Sequence, residues 1–251
     1  MKRHVGRCVI AIIAALTFAP DSSSAQPGGS MCSSLPSHGT LKAALDKATA
    51  EEKSGLNNHM WATIVDRDGV VCAVAFSGVD RHAQWPVSRV ISAQKANTAS
   101  ALGLDATSNS AGSGQPTGLA LSTANLFSAV QPGGSLFGLQ ESNPVNAAVA
   151  YAGPYSNYGT PKDPMVGARV GGINVFGGGL ALYSSAKRAV GGIGVSGDTS
   201  CADHNIAWRI RAILGLDHLM GVGGVSGDTA RPDNIVFDIA NGASKGGFGH
   251  P

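Results

Sequence analysis

The chain has 251 residues, of which 43% are hydrophobic, 6% are aromatic and 14% are charged, and it contains 35 glycines. These values predict a real hydrophobic core in one domain with additions, or at most two domains. Residues 1–25, which have the pattern of a cleaved leader, contain three of the 18 basic residues and one of the 16 acidic residues. The rest of the chain has 15 of each and no net charge. Such a chain lacks the basic surface that grips nucleic acid, so we expect no nucleic-acid partner.

The first 25 residues have the pattern of a secretory signal peptide. Three basic residues come first, and an apolar run, Cys8–Ala19, follows that is too short to span a bilayer. Ser23–Ala25 fits the small-residue cleavage rule and predicts a mature start near Gln26. No later stretch is apolar enough for a membrane span. The sequence therefore predicts a periplasmic or secreted protein.

Three cysteines remain after the predicted cleavage: Cys32, Cys72 and Cys201. In an oxidising compartment, one disulfide and one buried thiol is the simplest arrangement. Cys72 lies in the strand-like run VVCAVAF, which favours a core thiol there. We therefore predict a disulfide between Cys32 and Cys201. No Cys or His pair has the spacing of metal ligands, so no metal site is expected.

The first half of the chain predicts helices and a hairpin. In chain order the predicted elements are a flexible arm at 26–39, a helix at 40–57, strands at 61–65 and 70–76, and a helix at 86–102. Thr40 is the predicted N-cap of the first helix. Asp68-Gly69 between two apolar runs is typical of a hairpin turn. Gly103 is expected to end the second helix.

The second half predicts strands followed by a helix. The expected elements are a short helix at 119–130, an insertion at about 131–168, strands at 171–176, 180–183 and 188–196, a helix at 200–214, and a C-terminal extension at 217–251 with an edge strand at 235–239. Ser200 is the predicted N-cap of the last helix, with Asp203 completing a capping box. The insertion is rich in proline, glycine and tyrosine, and its length is typical of a lid or an interface. Residues 225–229 repeat 195–199, but one copy does not make a repeat architecture.

Helices segregated from antiparallel strands predict an α+β fold. Three motifs then resemble the GlcG/HbpS family of heme-binding proteins: Lys95-Ala96-Asn97-Thr98-Ala99, the glycine-rich stretch 171–183, and GGIGVSGDTS at 191–200. The resemblance covers about 40–216. It implies a profilin-like sheet of about five antiparallel strands with helices on both faces. It also points to a homo-oligomer, which the glycine-rich, weakly charged strands favour.

One ligand site is predicted from the long helix and the last turn. Lys95 and Thr98 share a helical face with Ile91 and Leu102, and a buried lysine needs an anionic partner. Lys95 alternatively reaches solvent or pairs with a structural carboxylate. The Ser196–Thr199 turn offers N–H groups at a helix start, which attract anions. We expect Lys95, Thr98, Ser196, Gly197 and Thr199 to meet Tyr151, Tyr155 and Tyr158 around an acidic ligand.

Two functions remain open at this stage. The first is an exported protein that binds heme or a related acidic small molecule, in a slot where glycines permit close approach of a flat ligand. No c-type attachment motif is present, so any heme would be bound non-covalently. The alternative is an enzyme that acts on a carboxylated or aromatic substrate under a tyrosine-rich lid. Its acid and base would come from His82, Lys95, Asp66 or His204.

Overall fold

The computed structural model describes residues 31–105 and 118–236, and the backbone of two short strands at 239–240 and 243–244. The predicted leader and its cleavage site lie outside these residues. The helices are α1 (His38–Glu51), α2 (Ser88–Leu102), α3 (Ala147–Ala150) and α4 (Ser200–Ile213); the strands are β1 (Trp61–Asp66), β2 (Val71–Phe76), β3 (Gly179–Tyr183), β4 (Ala189–Ser196), β5 (Ile239–Ala240) and β6 (Ala243–Ser244). Five short 3-10 helices connect them, at Met31–Ser34, Arg81–Ala83, Thr123–Leu126, Ser128–Val130 and Tyr155–Asn157.

The fold is α+β, as the sequence predicts. β1 to β4 form an antiparallel sheet in the order β2-β1-β4-β3, so the main sheet has four strands rather than about five. The strand expected at 171–176 is absent from it. That segment bonds to α2 side chains instead: Asn97 Nδ2 donates to the Gly172 carbonyl at 2.8 Å, and the Asn174 amide donates to Thr98 Oγ1 at 2.9 Å. Of the edge strand expected at 235–239, only Ile239 lies in a strand among the described residues, in the separate β5–β6 pair.

The two faces of the sheet are covered by different helices. α2 packs along β4, β1 and β3 on one face, and α1 and α4 pack together on the other. Alternation along β1 explains this arrangement, because Ala62 and Ile64 point towards α1 and α4 while Trp61 and Val65 point towards the α2 side. Both sets are buried, so the sheet forms the middle layer of the core.

The glycines of β4 serve the contact with α2. A Cβ atom at Gly194 would lie 1.9 Å from the Ser92 carbonyl oxygen, and one at Gly192 would lie 2.3 Å from that of Ala96. Only glycine therefore lets the helix backbone approach the strand this closely. The close approach that the sequence predicts is real, but the α2 backbone occupies it. The prediction that these glycines form a slot for a flat ligand is therefore wrong.

The predicted N-caps are each displaced. Ser37, not Thr40, caps α1, and its Oγ accepts a hydrogen bond from the Thr40 amide. Thr199, not Ser200, caps α4, and its Oγ1 accepts one from the Ala202 amide. Neighbouring Ser and Thr residues are chemically equivalent as caps, so the backbone geometry decides between them.

The predicted disulfide is also wrong. Cys32 is bonded to Cys72, with the two Cα atoms 5.1 Å apart, and Cys201 carries a free, half-buried thiol. The reason is that β2 is an edge strand, on which Cys72 is the only residue that is not fully buried. The arm runs beside the hairpin and brings Cys32 to it, and the Met31 amide donates to Asp66 Oδ2 at 3.3 Å.

The insertion is fixed to the core by buried contacts. Arg89 of α2 donates from Nε to Asp163 Oδ2 at 2.9 Å and from Nη1 to the Ala150 carbonyl at 2.7 Å. Ala150 and Met165 pack with the α2 side of the sheet. A buried ion pair and core packing therefore anchor the second half of this segment to the domain as a wall.

The C-terminal extension is part of the fold as far as residue 236. Arg211 of α4 and Asp233 form a fully buried pair, with Nη2 donating to Oδ1 at 3.0 Å. Leu219 and Val222 pack against Tyr183 of β3. Within the described part of the chain, no helix has an apolar stretch long enough to cross a membrane.

Candidate functional site

Lys95 has an anionic partner, but the partner is internal. Its Nζ donates to Asp203 Oδ2 at 2.7 Å and to the Val195 carbonyl at 2.9 Å, and both charged side chains are buried. Burial lowers the pKa of Lys95, against the pull of the Asp203 carboxylate that raises it. Of the possibilities that the sequence left open for Lys95, pairing with a structural carboxylate is therefore the one that the structure shows. Lys95 does not face a ligand.

The Ser196–Thr199 turn likewise makes internal hydrogen bonds. The Asp198 amide donates to Asp203 Oδ1 at 2.9 Å, and the Thr199 amide donates to Asp198 Oδ1 at 2.6 Å. The Gly197 carbonyl accepts from the Gln84 and Asn58 side chains. This turn therefore connects α4 to the sheet, and two of its amides are bonded to carboxylates of the chain itself.

Lys95 therefore meets the Ser196–Thr199 turn through Asp203, but the other predicted ligand residues do not join them. Thr98 is buried between its own helix and the 171–176 segment, where Oγ1 donates to the Gln94 carbonyl at 2.8 Å. Tyr151 is exposed at the end of α3. Only Tyr155 and Tyr158 line a common cavity. The predicted pocket around Lys95 is thus replaced by a different site that keeps two of its tyrosines.

We call this site the tyrosine cleft. It has a volume of about 470 Å³ and lies between α1, the loop after β2 and the insertion. Its lining residues are His38, Lys42, Phe76, Gly78, Val79, Asp80, Arg81, His82, Tyr155, Ser156, Tyr158, Gly159, Thr160 and Pro161. Aromatic surface, two imidazoles and two cations therefore meet in one open depression.

Each imidazole in the cleft is oriented by an oxygen acceptor. His82 Nδ1 lies 3.0 Å from Asp80 Oδ1, and the His82 amide donates to the same oxygen at 2.9 Å. These two bonds from His82 lower the pKa of Asp80, and this carboxylate orients the His82 ring through Nδ1. His38 Nε2 donates to the Gly159 carbonyl at 2.9 Å. Each ring thus retains one nitrogen with a lone pair, at Nε2 of His82 and Nδ1 of His38.

Each of the two tyrosines that line the cleft is stacked against an arginine. The Arg81 guanidinium lies 4.4 Å from the Tyr155 ring centroid, and that of Arg89 lies 3.6 Å from the Tyr158 centroid. Tyr158 also donates to the Ala152 carbonyl at 3.2 Å. Such cation–π contacts are each worth about 0.5–2 kcal/mol. Tyr158 is therefore a fixed wall, while Arg81 and Tyr155 stand at the exposed rim.

The four catalytic candidates lie in separate places. His82 lines the tyrosine cleft, whereas His204 lines a second cavity beside α4. Lys95 is in its buried pair, and Asp66 accepts from the Asp68 and Val70 amides in the β1–β2 turn. His82 and His204 therefore line different cavities and cannot act on one substrate together.

Potential metal ligands come together at one point of the described residues. Cys32, Cys72 and Asp66 each offer one ligand atom, and these three atoms lie within 4.8 Å of one another. The two sulfur atoms are bonded to each other in the disulfide, so neither thiolate is available to a metal.

Sequence reasoning missed His38, Lys42 and Arg81 as cleft residues. His38 and Lys42 lie on successive turns of α1, and the apolar stripe used to predict that helix does not distinguish them from ordinary surface residues. A signal did exist in Asp80–His82, where a carboxylate precedes an imidazole by two residues, as suits a local hydrogen bond.

Comparison with known proteins identifies one matching family model and several similar solved structures. A family model described as "Haem degrading protein HbpS-like" matches residues 39–212. Three crystal structures are similar: Klebsiella pneumoniae protein ORFY (24% identity, TM-score 0.43, 71% of this chain and 90% of that one), a PduOC:heme complex (22%, 0.46, 72% and 96%), and a double mutant of Streptomyces reticuli HbpS (17%, 0.43, 81% and 99%). No curated protein sequence matches.

Proposed function

The chain belongs to the HbpS-like family, and from this premise we propose that it is an exported protein that binds heme non-covalently in the tyrosine cleft. One observation carries the proposal: the cleft combines imidazoles that have an available lone pair with cations and aromatic walls. These three features suit heme, because it is a flat apolar ring with an iron centre and two carboxylates.

His82 is the proposed iron ligand. A metal-binding histidine usually donates its other ring N–H to a carboxylate or carbonyl, which fixes the tautomer and raises ligand basicity. His82 has this arrangement with Asp80, at 3.0 Å. His38 has the same arrangement with the Gly159 carbonyl and is the second candidate. Heme bound here would supply the redox and ligand-binding chemistry of its iron.

Lys42 and Arg81 are the proposed partners of the propionates. Lys42 Nζ already pairs with Asp46 on the surface of α1, yet an ammonium has three donors and can serve a second acceptor. Arg81 carries its guanidinium over Tyr155 at the rim. The cleft volume of about 470 Å³ falls in the range of ligand pockets, about 300–1,000 Å³. Its open shape predicts that one edge of the ring stays in solvent.

A hemin titration followed by absorbance tests this assignment. We expect a shifted Soret band for the unaltered protein and a changed band for His82→Ala. Arg81→Gln should weaken binding by about 1.5–3 kcal/mol without changing the band, as for loss of a hydrogen bond to a charged group. His218→Ala is the matched control, since His218 is exposed and does not line the cleft. Unchanged spectra and affinities in both cleft variants would contradict the site.

The same spectra distinguish a carrier from a heme-degrading protein. A stable Soret band over hours favours binding alone. Progressive loss of absorbance in the presence of a reductant and oxygen would favour the degradation that the family description names.

Export and self-association are further parts of the proposal. The pattern of residues 1–25 supports export, and a Cys32–Cys72 disulfide is typical of an oxidising compartment. Exposed apolar side chains near the cleft, among them Val79, Trp85, Val87 and Tyr155, support a contact between copies of the chain. Mass spectrometry of the exported protein should find a mature N-terminus near Gln26. Light scattering at micromolar concentration should give a mass above that of a monomer.

A further inference from the structure

A second cavity lies between α4 and the C-terminal extension. Its volume is about 180 Å³, and it is lined by His204, Asn205, Trp208, Arg209, Arg231 and Asn234. Every one of these side chains carries at least one N–H donor, and none is acidic. A lining in which every side chain offers a donor is complementary to a ligand rich in acceptors.

Both guanidinium groups keep donors for such a ligand. Arg209 uses Nη1 for Glu52, and Arg231 uses Nε for Asp228 Oδ2 at 2.9 Å. Burial raises the pKa of Glu52, but hydrogen bonds from Ser54 and Arg209 outweigh this and lower it to about 2. A guanidinium has five N–H groups, and among the described residues the others of these two arginines have no protein acceptor.

The cavity is held in shape from both sides. His204 is buried on α4 and forms part of the floor. On the extension, the buried pair of Asp233 with Arg211 lies between the two lining residues of that segment. The Asn234 carbonyl accepts from Asn125 Nδ2 at 3.0 Å, and its amide donates to the Arg231 carbonyl at 3.0 Å. These bonds fix the backbone of the extension that carries Arg231 and Asn234 beside the cavity.

We propose that this cavity binds a small anion of the carboxylate or phosphate class. Its volume equals that of about six water molecules, which suits a ligand far smaller than heme. The Trp208 ring gives one wall an aromatic face, which favours an unsaturated or aromatic carboxylate. Arg231 and Asn234 lie beyond the family-matched residues 39–212, so the site depends on the extension of this chain. It is separate from the tyrosine cleft.

The test titrates the full chain, without heme, with benzoate, succinate and inorganic phosphate as separate probes. Binding is read by calorimetry and by tryptophan fluorescence, to which Trp208 contributes from within the cavity. We expect saturable binding of at least one probe, with Kd raised about tenfold in Arg231→Gln through loss of a charged hydrogen bond. Asn205→Asp, which adds a carboxylate to the lining, should abolish binding. Arg188→Gln is the matched control, because Arg188 is exposed on the β3–β4 hairpin and lies outside the cavity.

The three probes also identify the chemistry. Binding of benzoate or succinate without phosphate assigns a carboxylate site, and the reverse assigns a phosphate site. Melting followed by circular dichroism confirms that each variant is folded. Absence of heat and of fluorescence change with all three probes at millimolar concentration would overturn the proposal. Equal binding by the unaltered protein and by folded Arg231→Gln and Asn205→Asp would overturn it as well.

Discussion

Replacement of Lys95 by methionine should destabilise the protein rather than weaken ligand binding. Lys95 and Asp203 are 1% and 4% exposed at their side chains, and their atoms approach to 2.7 Å. Methionine keeps most of the volume of the lysine stem but leaves the Asp203 carboxylate buried without its cation. Removing one partner of a buried pair costs about 3–5 kcal/mol in the free energy of unfolding, because the remaining charge is desolvated and uncompensated.

The two single variants should respond to pH in opposite directions. Burial raises the pKa of Asp203 to about 6, although Lys95 and the Asp198 amide pull it down. Without Lys95 this pKa rises further, so acidification to about pH 5 protonates the carboxyl and restores part of the lost stability. In Asp203→Asn the burial that lowers the pKa of Lys95 is no longer opposed by a carboxylate. The stability lost in Asp203→Asn should therefore become smaller as the pH rises.

Urea unfolding followed by circular dichroism measures these effects. The double variant Lys95→Met with Asp203→Leu should recover most of the stability lost in Lys95→Met, since apolar packing can replace a buried pair. Lys42→Met is the matched control, because the Lys42–Asp46 pair lies on the surface at i,i+4 spacing and is worth about 0.3–0.5 kcal/mol. A loss below about 1 kcal/mol for Lys95→Met, or the same pH slope in both single variants, would refute the reasoning.

Three other perturbations test the fold. Cys72→Ser opens a disulfide between residues 40 apart in sequence and should cost up to about 4 kcal/mol in urea unfolding, whereas Cys201→Ser should be nearly neutral. Gly194→Ala should prevent α2 from packing on β4 and lower soluble yield, while Gly39→Ala in the open first turn of α1 should have no adverse effect. Asp163→Asn should release the insertion and speed its cleavage in limited proteolysis, and an unchanged cleavage rate would contradict its role as an anchored wall.

The regular elements could be predicted because their signals are local. The Asp68-Gly69 turn forms the β1–β2 hairpin, with Gly69 at a φ of +75°, which glycine adopts without strain. Gly103 ends α2 as expected. The strand expected at 171–176 failed for the opposite reason. Its apolar and glycine pattern fits a buried strand. Its backbone, however, forms hydrogen bonds with the side chains of Asn97 and Thr98 instead of with a neighbouring strand.

The candidate site could be predicted only in part. The sequence drew attention to His82, Tyr155 and Tyr158, which do line one cleft. It grouped the tyrosines with Lys95 around an acidic ligand, because a lysine on an apolar face needs an anion. The anion proved to be Asp203, which lies 108 residues further along the chain on α4. No local pattern distinguishes such a carboxylate from a bound ligand.

The sequence by itself determined the fold class, most helix and strand positions, the family and the need of Lys95 for a negative charge. Tertiary structure decided which cysteines pair, what approaches the β4 glycines, and which residues of α1 and the insertion meet in the cleft. The physical reason is that periodicity and turn chemistry act within a few residues, whereas each of these outcomes joins segments far apart in sequence. Such contacts depend on how the helices pack on the sheet, and packing is a property of the whole core.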